Sequence, residues 1–239
     1  MEYHFEATED FLVRQNEIHI LLNTAREKSE EKDTFLKLAV VSLVTKFQVF
    51  VESLLKEFLY IIKNNNVEYS KLSVYMRLNA IKIGLDDNPL IKLTKHDKLT
   101  NETQEKIKRY IENIAFITNE NTKVDDALVM RTSFPLGRTG KDELLNLFKQ
   151  VDGKTNIFID SDTQEEVIDL NQLDSLLLTR HLIIHQDRFN QTDSKIIDYI
   201  EYLNRVVLYC DEYLACRLGE YGVQLEQKYI EYEGWERSN

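Results

Sequence analysis

Apolar residues follow a helical repeat through both ends of the chain. In residues 5–31 they recur every three or four positions: Phe11, Ile18, Leu21, Leu22 and Ala25. This spacing predicts an amphipathic helix. Residues 34–63 are apolar around most of the helix circumference, which is typical of a helix in the middle of a bundle. We expect Asp33 or Thr34 to cap this second helix and the asparagines at 64–66 to end it.

The C-terminal third of the chain has the same periodicity. Residues 171–188 and 194–217 each carry apolar residues at helical spacing, which predicts two further helices. The sequence NQTD at 190–193 combines a turn with a helix cap, and Gly219 marks the expected end of the last helix.

The middle of the chain is less regular. In chain order it predicts a short helix at 69–83 that stops at Gly84, a turn at 86–89, a helix near 101–117, a loop at 131–143, a helix at 141–151 and a short strand or extended segment at 155–161. The chain has 239 residues with only 7 glycines and 2 prolines, so few turns are expected. We therefore predict an all-α fold, a single domain over 1–239. Its core helices would lie at about 5–63 and 163–217, with a mostly helical insertion at about 67–160.

Composition restricts the classes of function. The net charge is −11, which argues against binding nucleic acid through bulk charge and leaves room for a local basic cleft. Two regions are candidates for such a cleft, and each is equally compatible with an ordinary mixed surface. They are residues 92–109, with Lys92, Lys95, Lys98, Lys106, Lys108 and Arg109, and the loop at 131–141, with Arg131, Arg138 and Lys141.

Cysteine use and hydropathy favour a cytoplasmic protein. Cys210 and Cys216 lie six residues apart in one predicted helix, a spacing that suits neither a disulfide framework nor a zinc site. No apolar run reaches the length of about 18 residues that a transmembrane helix needs, and the acidic start does not resemble a secretory signal. We expect no membrane association.

The segment SLLLTRHLIIHQDRF, 175–189, places an arginine and two histidines in an apolar helix. At about 100° per residue, Arg180 lies in the middle of the apolar stripe. His181 and His185 lie on one flank of that stripe, with Asp174 between them about two turns earlier. We expect all three basic side chains to point toward packed neighbours rather than solvent.

These residue types together suggest phosphodiester chemistry. A buried arginine must be paired or must line a wet cavity, and its planar fork matches phosphate oxygens. A histidine can take and return a proton near neutral pH. Cleavage of RNA without a metal needs both, together with a second proton-transfer group that a two-fold dimer would supply.

The spacing of Arg and His is not specific by itself, because Arg14 and His19 have the same spacing. We interpret that first pair as solvated surface on an amphipathic helix. For the second pair, other interpretations are a structural ion pair of Arg180 with core histidines, or a metal site built from the two histidines and Asp174. We interpret the polar stripe of Glu52 as exposed surface, and the residues Asp187 and Arg188 as the end of the helix.

The segment RHLIIHQ, with Arg180, His181 and His185, resembles the signature helix of the HEPN superfamily, an Arg followed after four to six residues by His. The stretch FLKLAVVSLVTKFQVFVESLLKEFL is similar to the long second helix of HEPN proteins, and DELLNLFKQV with DLNQLDSLLLTRHLIIHQD is similar to the run-in to the motif helix of HEPN nucleases. Residues 67–130 have no counterpart in this resemblance.

The resemblance implies a helical bundle that dimerises so that two motif helices line a shared cleft. It implies a metal-independent endoribonuclease without a cofactor, with Arg180 and His185 as the catalytic pair and His181 in support. It also implies a bacterial toxin or antiviral defence effector held in check by an antitoxin-like partner. The alternative is a non-catalytic helical dimer that serves as a protein-interaction or regulatory module.

Overall fold

The computed structural model describes residues 1–78, 101, 104–105, 108, 121–126, 128–135, 140–160 and 163–231. In chain order the main elements are β1 (Glu2–Tyr3), α1 (Glu6–Glu27), α2 (Lys32–Asn64), α3 (Gly140–Asp152), α4 (Asn171–Gln186), α5 (Asp193–Glu220) and β2 (Lys228–Tyr229). The two short strands pair antiparallel. The fold is all-α, as predicted. Helices α1, α4 and α5 pack around α2.

The first two helices confirm the apolar periodicity and correct one cap. A 3-10 turn, Ser29–Glu31, leads from α1 directly into α2. The N-cap of α2 is therefore Glu31, without a side-chain cap bond, and Asp33 lies in the first helical turn. The expectation of a cap at Asp33 or Thr34 was wrong because the residues just before α2 already form a 3-10 turn. At the other end Asn65 is the C-cap and Asn66 has a φ of 55°, so the asparagines do end the helix.

Helix α2 forms the centre of the core. Its buried residues, which include Val40, Leu43, Phe47 and Phe58, recur every three or four positions and lie on one broad side of the helix. Leu38, Val49 and Tyr60, on the opposite side, are 47–66% exposed. The expectation of a helix buried around most of its circumference was therefore wrong. Among the described residues, the stretch Ser29–Asn64 is long and apolar enough to cross a membrane. Half of an apolar run of 18 residues within it is buried inside the protein. Packing against α1, α4 and α5 accounts for this apolar character.

The middle of the chain is described only in part. Residues 69–83 were expected to form a helix, and the structure has a 3-10 turn at Tyr69–Lys71 followed by helical residues 74–78. The predicted end at Gly84, the turn at 86–89 and most of the helix near 101–117 lie outside the described residues. The predicted helix at 141–151 is confirmed as α3.

Residues 155–161 were predicted to be a short strand or an extended segment, and the described residues 155–160 instead contain a bend and a turn before one isolated bridge. A single antiparallel bridge joins Ile159 to Glu166, and the backbone N–H of Val167 donates to the carbonyl of Phe158 at 2.8 Å. Six acidic residues and no basic ones occur between Lys154 and Arg180: Asp160, Asp162, Glu165, Glu166, Asp169 and Asp174.

Helix α5 begins where the sequence placed it and ends later. The Thr192 side chain accepts a hydrogen bond from the Lys195 backbone N–H, which confirms the cap at 190–193. The helix continues through Gly219 to Glu220, and Gly222, with a φ of 85°, is the left-handed residue that ends it. Gly219 was wrong as the terminator because the backbone N–H of Val223 bonds back to Leu218 instead, at 2.9 Å.

Two carboxylates from other helices cap the start of α1. Asp211 of α5 is 1% exposed and accepts bonds from the backbone N–H groups of His4 and Phe5, the His4 ring and the Thr8 hydroxyl, at 2.7–3.0 Å. Glu57 of α2 accepts from the backbone N–H groups of Glu6 and Ala7. These bonds fix α1 to both α2 and α5.

Candidate active site

Helix α4 packs with one side on the bundle and leaves its C-terminal half less covered. Leu173, Leu176 and Leu177 are at most 2% exposed. Ile184, two to three turns further on and on the same side, is 45% exposed. The motif residues therefore lie where the helix emerges from the core.

Arg180 enters this site from the buried side. Its side chain is partly buried, and its Nε atom is buried without a hydrogen-bond partner. No ion pair of Arg180 occurs among the described residues. The alternative interpretation, a structural ion pair of Arg180, therefore finds no support in the described part of the chain. The N–H groups of the guanidinium remain available to bind an anion.

The two histidines differ in exposure. His181 is partly buried and His185 is exposed. Their ring centroids lie 4.5 Å apart with the planes tilted by 48°. The prediction that all three groups face packed neighbours was wrong for His185. It lies about 140° around the helix from Arg180, and only one side of α4 is covered.

The last turn of α4 is fixed after the motif. Asp187 is the C-cap, with a left-handed φ of 50°, and its backbone N–H bonds to the Leu182 carbonyl. Its carboxylate lies 2.6 Å from the Lys37 ammonium of α2. Asp187 thus ends the helix, as interpreted from the sequence, while Arg188 follows it with an exposed side chain. His185 is held on an anchored turn rather than on a frayed one.

The N-terminal half of α4 is anchored by α3. The backbone N–H of Lys141 donates to Asp174 Oδ1 at 2.9 Å. Gly140 lies so close to α4 that a Cβ atom there would stand 1.7 Å from Leu177 Cδ1. Asp174 thus accepts a hydrogen bond from the first turn of α3. The described residues contain no group of three or more His, Cys, Asp or Glu side chains arranged to hold a metal.

The basic residues predicted to bind substrate have different surroundings. The Arg131 guanidinium is paired with Glu143 at 2.9 Å. The Lys141 ammonium donates only to the neutral Asn171 amide oxygen, at 3.4 Å, among the described residues. Arg138, and nearly all of the basic stretch at 92–109, lie outside the described residues. Of the two predicted substrate contacts that the structure describes, Arg131 and Lys141, it is Lys141 that lies beside α4.

The interpretation of Glu52 as exposed surface was wrong. It is partly buried, not exposed surface, and its Oε1 accepts from the Phe134 backbone N–H at 3.0 Å and from the Gln48 amide at 3.1 Å. Phe134 in turn packs edge-on against Phe47, at 5.9 Å between centroids. The signal available in the sequence was a carboxylate on an otherwise apolar helix, which needs partners when it is half buried.

The Arg14 and His19 pair provides an internal reference. Arg14 is exposed and bonded to Asp10 at 3.2 Å. His19 is partly buried, and burial lowers its pKa to about 4. The interpretation as solvated surface therefore holds for Arg14. It is wrong for His19, which is partly buried.

The fold and the motif helix define a HEPN-type domain. A family model described as RiboL-PSP-HEPN matches residues 9–215, and the chain belongs to this family of the HEPN superfamily. The match extends from α1 to α5 and includes Arg180, His181 and His185. Neither the comparison with curated proteins nor that with solved structures gave a match.

Proposed function

We propose that this chain is a metal-independent endoribonuclease that cleaves RNA by attack of a ribose 2′-hydroxyl on the neighbouring phosphate. The observation that carries the proposal is the contrast between its two basic groups on α4. Arg180 has a buried Nε without a partner, and His185 is exposed one turn later on an anchored helix end. Membership of the HEPN family supports it.

The roles follow from the chemistry of each group. The Arg180 guanidinium holds the phosphate and offsets the charge that builds on its oxygens. His185 takes a proton from the attacking hydroxyl or gives one to the leaving oxygen, with His181 in support. The products are a 2′,3′-cyclic phosphate and a 5′-hydroxyl end.

Recognition of RNA by this chain is local rather than general. The net charge of −11 disfavours broad contact with a polyanion. Lys141, which contacts α4 at Asn171, supports a role in holding the strand beside the motif helix. Arg131 and Arg138 are the further proposed contacts; Arg131 would first have to exchange its Glu143 partner.

A homodimer is part of the proposal. Leu178, just before the motif, and Ile184, within it, are 47% and 45% exposed, and a second copy that covers them would remove apolar surface from water. A toxin or antiviral effector restrained by an antitoxin-like protein is the proposed setting. The same exposed side chains favour the rival function, a non-catalytic dimer that acts as an interaction module.

The test is cleavage of labelled single-stranded RNA in the presence of EDTA by the unmodified chain, His185→Ala and His19→Ala. We expect cleavage by the first and third proteins only. His185→Ala should also retain its melting temperature, because the ring is exposed. If the unmodified chain cuts no RNA from a total cellular pool, the nuclease proposal fails and the interaction module takes its place.

A further inference from the structure

The rings of His181 and His185 are neighbours on one helix of one subunit. Their centroids are 4.5 Å apart, and residues four apart on a helix share a side. His185 is exposed and His181 is partly exposed, so both rings can meet one ligand from the same side of α4. A single subunit therefore carries two proton-transfer groups beside one guanidinium.

We propose that His181 and His185 form a complete acid–base pair within one subunit, with His181 as a catalytic residue rather than a support. This inference rests on the proposed ribonuclease function and deepens it. It removes the need for a second subunit to supply the second histidine, so that a dimer would position or cover the site.

The proposed step balances in atoms and protons. The neutral ring removes the proton of the 2′-hydroxyl while the bond from that oxygen to phosphorus forms. The protonated ring gives its proton to the 5′-oxygen while the bond from phosphorus to that oxygen breaks. The pair ends with its proton on the other ring, and exchange with water restores the starting form.

Fixed charges lie around the two rings, whose centroids are 4.5 Å apart. Arg180 carries a positive charge on the same helix. Lys141 of α3 and Lys37 of α2 contact α4 from its neighbours. Lys37 is neutralised by Asp187, and Asp174 is bonded to the backbone of Lys141.

The first experiment uses an RNA substrate with sulfur in place of the bridging 5′-oxygen, since a thiolate leaves without protonation. We compare His181→Gln, His185→Gln and, as a control, His19→Gln on the normal and the sulfur substrate. On normal RNA we expect losses of about 100-fold or more for the first two variants. On the sulfur substrate one of these two, the one lacking the acid, should regain most of its rate.

The inference is overturned if His181→Gln cuts normal RNA at the unmodified rate, or if sulfur rescues both variants or neither. A structural role for His181 would slow both substrates equally. If the unmodified chain cuts neither substrate, the proposed ribonuclease function itself falls. Cleavage that depends on His185 alone would remove only the acid–base pair.

The second experiment mixes the unmodified chain with an excess of the double variant His181→Gln/His185→Gln after joint refolding. If each subunit is complete, activity follows the number of unmodified subunits linearly. If the acid and the base come from different subunits, activity falls with the square of the unmodified fraction, and the inference is wrong.

Discussion

The two Arg–His pairs of this chain have the same spacing and opposite environments. At the first pair, on α1, the arginine is exposed and bonded to Asp10, while His19 is withdrawn and its pKa is lowered to about 4. At the second pair, on α4, the arginine is withdrawn with its Nε unpartnered, while His185 is exposed.

The difference shows which part of a short motif carries chemistry. An arginine paired with a carboxylate must give up that partner to bind a phosphate, and a histidine with a pKa near 4 stays neutral through physiological pH. An unsatisfied arginine beside an exposed histidine can bind an anion and move a proton. The spacing of four residues between Arg and His is the same in both pairs and cannot explain this difference. The side of each helix that is buried explains it.

The largest expected effect separates the two arginines. Arg180→Met should lower RNA cleavage by about 100- to 1,000-fold, because it removes the group that stabilises charge on the phosphate. Its free energy of unfolding should not fall, since a buried unpartnered Nε is removed. Arg14→Met, the matched control, should keep full cleavage and change stability by less than about 1 kcal/mol. Kinetics and urea denaturation of both variants measure this; equal losses of activity would contradict the comparison.

A smaller effect is expected from the contact that holds α4. Gly140→Ala places a Cβ atom against Leu177 and should cost about 1–3 kcal/mol of unfolding free energy as the two helices move apart. Cleavage should fall with it. Gly219→Ala is the control, because nothing lies within 4 Å of its Cβ position. If thermal unfolding places both variants at the same midpoint, the close approach of α3 and α4 is not what positions the motif.

The pH dependence of stability should report on His19. Burial lowers its pKa to about 4 from 6.5, so the unfolded chain binds the proton first. The stabilising effect of the neutral ring is complete above pH 6.5 and is lost as the pH falls toward 4. We expect a loss on the order of 1 kcal/mol, after allowance for solvent screening of a half-exposed ring. His19→Gln should flatten the dependence of the urea midpoint on pH between 7 and 5. A midpoint of the His19→Gln variant that still falls as steeply would contradict this prediction.

The smallest effect concerns two matched ion pairs of α2. Lys37 bonds to Asp187 and Lys46 bonds to Glu17, each at 2.6 Å. Either lysine changed to Met should cost less than about 1 kcal/mol. Only Lys37→Met should reduce cleavage, by a few-fold, because it loosens the turn that carries His185. An equal reduction in Lys46→Met would show that general surface charge, not the anchored helix end, is responsible.

The sequence predicted the helices better than their ends. Periodicity located α1, α2, α3, α4 and α5, since each buries one side. The cap at Asp33 and the stop at Gly219 were wrong because the neighbouring turns, 29–31 and 221–223, decided those ends through backbone bonds.

The candidate site was predicted by type and only partly by orientation. The placement of Arg180 on the buried side follows from the helical wheel. The exposure of His185 depends on how far along α4 the bundle extends, which is a tertiary property. The sequence indicates that Glu52 needs a partner but not which one, because the backbone N–H of Phe134 is 82 residues away and has no side-chain signature.

The separation of α2 from α4 also bears on how the chain tolerates length changes. About 106 residues lie between Asn64 and Asn171. The described part of that stretch is not a spare linker, because Tyr69, Phe134, Leu147 and Phe148 are fully buried in the same core. A length change that leaves these side chains in place costs only closure entropy, about 0.6 kcal/mol for each doubling of a flexible loop. A deletion that removes them also loses the burial of large apolar groups, at about 1.5–3 kcal/mol for each side chain.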